Sequence, residues 1–421
     1  MANIEAWGSG YKLQWLEEGV EAYVARIRGG EDIRAEIAVT LQGQGLTRSS
    51  PTLTSEQGKD ALIRKLERRR PRVDFGIDWE VCVEEMAGLI IDSYRRGEVE
   101  VNLSEVEESE GSIWRVEGIM PEGQPSLVYG DGGSGKSLLA CLLATCIDQG
   151  YSDTNLRMSV EPGRVLYLDW ETDEQEIAKR VRMIHAGLGL EAKTGIVYRR
   201  MTQGLQDDLD RTVDIVQARS IDVVICDSLG LATGGSLEDA ESVLGFFGAL
   251  RVLNCTSLVI SHINKAGVPF GSVYANNSAR MSYEARGTPA DDGIDLALFH
   301  RKANNVAQQP PRAWHIKFQE DTAIDFGAKD VFQTESAGAM SISDLVYRVV
   351  TADGPMDRDT LSATIAAYKN MTIEKVKSAI SVAISRHKRL GNLVEDKEKI
   401  IKIPSTEVAV QEKAGVGAWQ F

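Results

Sequence analysis

From residue 111 to about 335, short apolar runs rich in β-branched residues alternate with helical stretches. The runs fall at 126–129, 164–170, 195–199, 223–226, 257–261, 296–300 and 314–318. Alternation of this kind predicts an α/β domain, with a mainly parallel sheet covered by helices on both faces. Residues 1–110 have a different rhythm and predict a small α+β domain. There a Gly/Ser/Pro-containing loop at 43–51 precedes a charged helix over 55–70, and a second amphipathic helix covers 79–96. An acidic linker, 97–110, closes this part. Beyond residue 340 the pattern turns helical again, at 344–351, 357–368 and 372–390, and then hairpin-like at 391–403. Three helices and a β-wing predict a winged-helix-like module over 340–404, and 405–421 reads as a tail.

Composition narrows the function classes. With 43% hydrophobic and 26% charged residues, the chain has the make-up of a globular protein rather than a disordered one. A net charge of −15 confines any nucleic-acid contact to local basic patches. The five cysteines (Cys82, Cys141, Cys146, Cys226 and Cys255) form no C-x-x-C pair and lie mostly in apolar runs. They read as buried reduced thiols in a cytoplasmic setting. Residues 1–15 lack the apolar core of a signal peptide. The longest near-apolar run, 138–147, is half of the ~20 residues that span a bilayer. No membrane partner is expected.

One segment carries strong chemistry. Gly130-Asp131-Gly132-Gly133-Ser134-Gly135-Lys136-Ser137 matches G-x-x-x-x-G-K-[ST]. The glycines let the backbone curl so that successive N–H groups point at one anion. Lys136 adds a charge near the β- and γ-phosphates, Ser137 is a candidate Mg²⁺ ligand, and the helix opening at Leu138 aims its positive end at the phosphates. A strand-like run enters this loop and an apolar helix leaves it. The reading is a nucleoside triphosphate site, for ATP with Mg²⁺.

Two acids end later strands. Asp227 closes the run 221–227 and fits a Walker B carboxylate that holds Mg²⁺ through water. Glu171 closes the strand after the P-loop helix, where a carboxylate can orient and deprotonate the attacking water.

In this order and spacing, the pieces from Gly130 to about Phe318 resemble the RecA-like hexameric ATPases, the plasmid replicative helicases of the RepA type and their phage and plasmid relatives foremost. The segment Tyr167 to Asp173 is similar to the family's strand–Glu–Asp stretch. Arg180 stands where the family carries an arginine beside the nucleotide base. The run Val259-Ile260-Ser261-His262-Ile263-Asn264-Lys265 resembles a strand ending His-His-x-x-Lys, which makes His262 a candidate γ-phosphate sensor. Gly271-Ser272 through Ala279-Arg280, and Arg301-Lys302-Ala303-Asn304-Asn305, are similar to two further family segments. This sequence departs from the family at Ser261, where the pair's first histidine stands, and at Phe270, where an arginine precedes Gly-Ser.

The resemblance implies a RecA-like core, a ring of copies (a hexamer) and single-stranded DNA in its channel. Lys265 and Tyr274 lie in or beside the loop that would track the strand by charge and stacking. It also implies a cation acting on a neighbour's nucleotide, with Arg280, Arg301 and Lys302 as candidates. Replication or recombination proteins are expected partners, in the cytoplasm of a bacterial host. An N-terminal basic cluster, Arg64, Lys65, Arg68, Arg69, Arg70 and Arg72, reads first as a solvated helix face and second as a phosphate-contacting patch. The C-terminal module reads equally as a duplex reader and as a protein-docking piece, with acidic Glu395, Asp396 and Glu398 weighing against DNA. The expected function is an ATP-hydrolysing DNA motor of the replicative helicase kind. The alternatives are a recombination or helicase-loading ATPase without unwinding, and an ATP-switched DNA-binding regulator.

Overall fold

The structure, a computed structural model, describes residues 2–404 except 8–9, 30, 70–75, 97–101, 107–112, 192, 264–272 and 305. Lys265, Phe270, Arg70, Arg72 and the segment 405–421 lie outside the described residues.

An antiparallel sheet opens the chain: β1 (Asn3–Trp7), β2 (Gly10–Trp15), β3 (Val20–Arg28), β4 (Arg34–Leu41) and β5 (Gln44–Ser49), neighbours in that order. Alternate residues of β4 (Ala35, Ile37, Val39 and Leu41) point inward, as the two-residue period of a half-buried strand requires. Two helices, α1 (Glu56–Arg69) and α2 (Trp79–Arg96), bury Leu62, Leu66, Val83, Met86 and Ile90 against that face. The expected loop at 43–51 is for the most part strand β5. A tight turn at Gln42 and Gly43 folds it back on β4, and Leu46 and Thr47 are buried there. Its Gly, Ser and Arg residues hide the strand from a pattern reading.

The central elements follow in chain order. They are β6 (Trp114–Val116), β7 (Met120–Pro121), β8 (Pro125–Gly130), α3 (Lys136–Gln149), β9 (Val165–Asp169), α4 (Glu174–Gly187), β10 (Val197–Arg200), α5 (Leu209–Arg219), β11 (Val223–Asp227), α6 (Leu229–Ala232), α7 (Ala240–Leu253), β12 (Thr256–His262), α8 (Val273–Ser278), β13 (Met281–Ala290), β14 (Gly293–Ala303), β15 (Arg312–Gln319) and β16 (Ala323–Lys329). Nine strands form one sheet in the order β10-β9-β11-β12-β8-β13-β14-β15-β16. The first six run parallel, and β14 to β16 continue as an antiparallel meander.

The parallel strands are buried on both faces. Tyr167, Ile225 and Ile260 pack with α3 and α4, while Leu168, Cys226 and Val259 pack with α7 on the other side. Such strands read as continuous apolar runs, which is why they are legible in sequence. β13 and β16 were not among the expected runs. β13 carries Glu284, Arg286 and Gly287 on its length, and β16 is broken by Asp325 and Gly327.

The chain ends in α9 (Ile342–Asp353), α10 (Arg358–Lys369), α11 (Ile373–Arg389) and a two-stranded ladder of β17 (Val394–Glu395) and β18 (Ile401–Lys402). Met356, between α9 and α10, bridges to Ile401 of β18. The core of these helices is continuous with Ala297, Phe299 and Ala313 on β14 and β15. All five cysteines are buried free thiols. No helix among the described residues is long and apolar enough to cross a membrane.

Candidate nucleotide site

β8, a central strand of the sheet, is buried almost throughout and delivers the chain to the P-loop at its C-terminal end. Gly133 and Gly135 have φ of 74° and 87°, a region that favours glycine and that curls the loop toward α3. No side chain caps the N-terminus of α3, so the N–H groups of its first turn are left for an anion. Leu138 lies in that turn and lines the cavity. From Leu139 to Ile147 every residue of α3 is buried, so the helix is held on all sides and its dipole axis is fixed.

Lys136 is only 4% exposed. Its ammonium donates to the carbonyls of Gly130 (3.0 Å) and Asp131 (2.6 Å) and to Ser134 Oγ (3.3 Å). Burial pulls its pKa below the usual lysine value, and the nearby charges of Asp227, Glu171 and Asp131 oppose that pull. Phosphate oxygens offer the same ammonium stronger acceptors than loop carbonyls.

Asp227 is buried at the end of β11, between β9 and β12. Burial raises its pKa, opposed by hydrogen bonding from Ser137 and Tyr167. Tyr167 Oη donates to Asp227 Oδ2 at 2.8 Å. The Ser137 hydroxyl is close enough to favour the charged form, yet Oδ1 is buried and accepts no hydrogen bond of normal geometry. An orphaned carboxylate oxygen beside a hydroxyl fits a hydrated Mg²⁺. No group of three or more His, Cys, Asp or Glu among the described residues could hold a metal by itself. The phosphates and waters would have to complete the shell.

Glu171 follows β9 and lines the same cavity. Its Oε1 accepts a short hydrogen bond from Ser228 Oγ and lies 3.4 Å from His262 Nε2. The structure thus joins residues 171, 228 and 262 across the ends of three adjacent strands. Asp169, two residues before Glu171, is 1% exposed and fully committed: its carboxylate accepts from the N–H groups of Glu171 (2.9 Å) and Thr172 (3.1 Å) and from Tyr198 Oη (3.0 Å). It positions the turn that presents Glu171.

The cavity over the P-loop measures about 570 Å³, a size that suits a nucleotide. Arg180 on α4 lines it, with Nε donating to Glu176 Oε1 at 3.0 Å. Opposite the P-loop, Met183, Ile294, Phe318 and Ile324 form an apolar wall for a base. That wall comes from α4 and the antiparallel meander, tied together by a Lys179–Asp321 ion pair of 2.7 Å. Only Arg180 of this region is legible in the motif order.

Two glycines seat the loop. A Cβ at Gly130 would lie 2.1 Å from Ala285 O, and one at Gly287 would lie 2.6 Å from Ser134 Cα. Gly287, on a strand absent from the apolar pattern, gives no signal in the sequence.

The candidate trans-acting cations stand elsewhere. Arg280 N donates to Pro125 O at the start of β8, five strand residues from Gly130, roughly 16 Å at strand rise. Its Nε donates to Gln124 Oε1 at 3.0 Å. Arg301 is bound to Glu284 (2.7 Å) and to Ala339 O, and it stacks over Phe299. Lys302 donates to the carbonyls of Asn276, Asn277 and Ala279, at 2.6, 2.9 and 2.7 Å, and so closes the C-terminal end of α8. In this structure three carbonyls of its own chain claim its three donors. Tyr274 lies on α8 with its ring partly exposed.

The loop, the strand-end acids and the strand order, with β12 between the P-loop strand and the Asp227 strand, define a P-loop nucleotide-binding core. Residues 92–268 match the family model of the AAA domain. Among solved structures, a KaiC-like protein from the hyperthermophilic archaeon Pyrococcus horikoshii OT3 is similar at 14% identity and a TM-score of 0.38, over 50% of this chain and 93% of that one. No curated protein matches the chain.

Proposed function

We propose that the chain is an ATP-hydrolysing DNA motor that works as a ring of copies, a hexamer, in phage or plasmid replication. The observation that carries the reading is the Glu171 carboxylate, held by Ser228 and facing His262 at the edge of the P-loop cavity. A nucleotide switch needs a phosphate cradle; turnover needs, in addition, a base placed for water. Lys136 exchanges its loop carbonyls for phosphate oxygens, and the first-turn N–H groups of α3 hold the same anion. Ser137 and Asp227 hold Mg²⁺, which when bound neutralises charge on the phosphates. Glu171 orients the attacking water and accepts its proton. His262 ends β12, two residues before position 264, and so links Glu171 to the chain that follows β12.

The placement of Arg280 supports assembly. It lies beside the N-terminal end of β8, a strand's length from its own P-loop, and has no carboxylate partner among the described residues, a placement suited to a neighbour's nucleotide. The test is ATP turnover with and without single-stranded DNA, run beside strand displacement. His262→Ala is expected to keep basal turnover and lose the DNA-stimulated part, and Lys265→Ala to lose the same part. Stimulation that survives both changes would overturn the coupling, and turnover without strand displacement would leave a loading or recombination ATPase.

A further inference from the structure

The face of α11 that points away from the core carries three serines around one exposed valine, with Glu374 at its N-terminal end, and is flanked by cations. Val376, Ile380, Ala383, Ile384 and His387 are buried. On the opposite side, at helical spacing, lie Ser378, Ser381, Val382 and Ser385, all exposed. Lys375 and Arg389 end this strip, and Lys377 lies on its flank. None of these three cations forms an ion pair among the described residues. The turn between β17 and β18 adds exposed Lys397 and Lys399. A Lys388–Glu395 pair of 2.9 Å holds that ladder beside the C-terminal end of α11.

Two of the three acids that weigh against DNA in the sequence are paired within the module. Glu395 accepts from Arg358 Nε (2.7 Å) and Lys388 Nζ (2.9 Å), and these bonds hold its carboxyl at about 2. Asp396 accepts from Ile400 N and Glu398 N, each at 3.0 Å, and pairs with Lys402 at 3.1 Å. Of the three, Glu398 alone is left to face solvent. Residues 340–404 carry 11 Lys and Arg against 8 Asp and Glu, a net +3 in a chain of −15.

We infer that the outer face of α11, with the turn between β17 and β18, docks on duplex DNA. A 17-residue helix about 25 Å long, fronted by serines and Val382, can enter a major groove ~12 Å wide, while Lys375, Lys377, Arg389 and Lys397 meet phosphates on either side. Charge complementarity selects the polyanion: this is a basic surface on an acidic chain. The inference stands apart from the ATP reading, because no residue of the nucleotide cavity takes part.

The test uses the full chain and a labelled duplex of about 20 base pairs and mixed sequence, titrated by anisotropy over a range of salt. Lys375→Glu with Arg389→Glu is expected to weaken binding at least ~10-fold and to lower the salt slope by about 2. Lys397→Glu, on a different element, should weaken it by a smaller step. Lys136→Ala should leave duplex affinity unchanged, so the loss of ATP turnover and the loss of duplex binding are separately visible. Melting temperatures equal to the parent's establish that the variants are folded. The proposal is overturned by equal affinity and slope in the double variant. Failure of the parent to bind the duplex at low salt also overturns it, and leaves an acidic protein surface as the occupant.

Discussion

On the proposed reading Glu171 is the base for hydrolysis, and its environment indicates what a substitution should do. The backbone turn that presents it is fixed by Asp169, and the side chain is steered by Ser228 and His262. Glu171→Gln keeps the shape and removes the base. It is expected to cut ATP hydrolysis by at least ~10² while nucleotide affinity holds. Lys136→Ala, by contrast, should abolish binding and turnover together, because it takes the one buried ammonium from the cradle. A single-turnover assay with a nucleotide titration separates the two, and a Glu171→Gln variant hydrolysing at the parent rate would remove this carboxylate from the mechanism. Asp169 does not inherit the role, since its oxygens are already spent on the turn and on Tyr198. Both acids are visible in the sequence as strand ends. Which of them is free to act is not, because that depends on which N–H groups lie within reach after folding.

At the scale of elements, the P-loop is held from behind by β13. Gly130 and Gly287 let the two backbones touch, and any Cβ at 287 would fall inside the contact distance of Ser134. Gly287→Ala is therefore expected to push the loop out of register and weaken ATP binding about 10-fold, in line with the 1–3 kcal/mol that overpacking usually costs. A fluorescent-nucleotide titration reads this directly, and parental affinity would refute the seating role. The buried parallel strands were legible because both faces are apolar. β13 and β5 were not: their glycines and charges serve close approach and edges rather than burial, and no periodicity records that. The apolar wall of the base site has the same origin. Ile294, Phe318 and Ile324 look like ordinary core positions of three strands until the meander brings them over the loop.

For the whole molecule the question is whether one copy suffices. The P-loop follows the C-terminal end of β8 and Arg280 lies beside the N-terminal end of the same strand, so within one copy the length of β8 separates them. Mixing an Arg280→Ala chain with a Lys136→Ala chain should restore part of the ATPase, since mixed interfaces would pair an intact cradle with an intact arginine. Activity that stays proportional to concentration down to a proven monomer would exclude this arrangement. Arg301 and Lys302 make poorer candidates, each being tied to carbonyls or carboxylates of its own chain.

The sequence by itself determined the phosphate cradle, the two strand-end acids and the buried parallel strands. Each depends on local chemistry: glycine curvature, a charge at a fixed spacing, or a continuous apolar run. Tertiary structure alone decided the rest. It brought Ser228 and His262 to Glu171, set Tyr167 against Asp227, spent Lys302 on a helix end and paired Glu395 and Asp396 within the C-terminal module. These outcomes depend on which distant segments the sheet order makes neighbours, and hydrogen-bond partners drawn from separate strands leave no periodic trace in the chain.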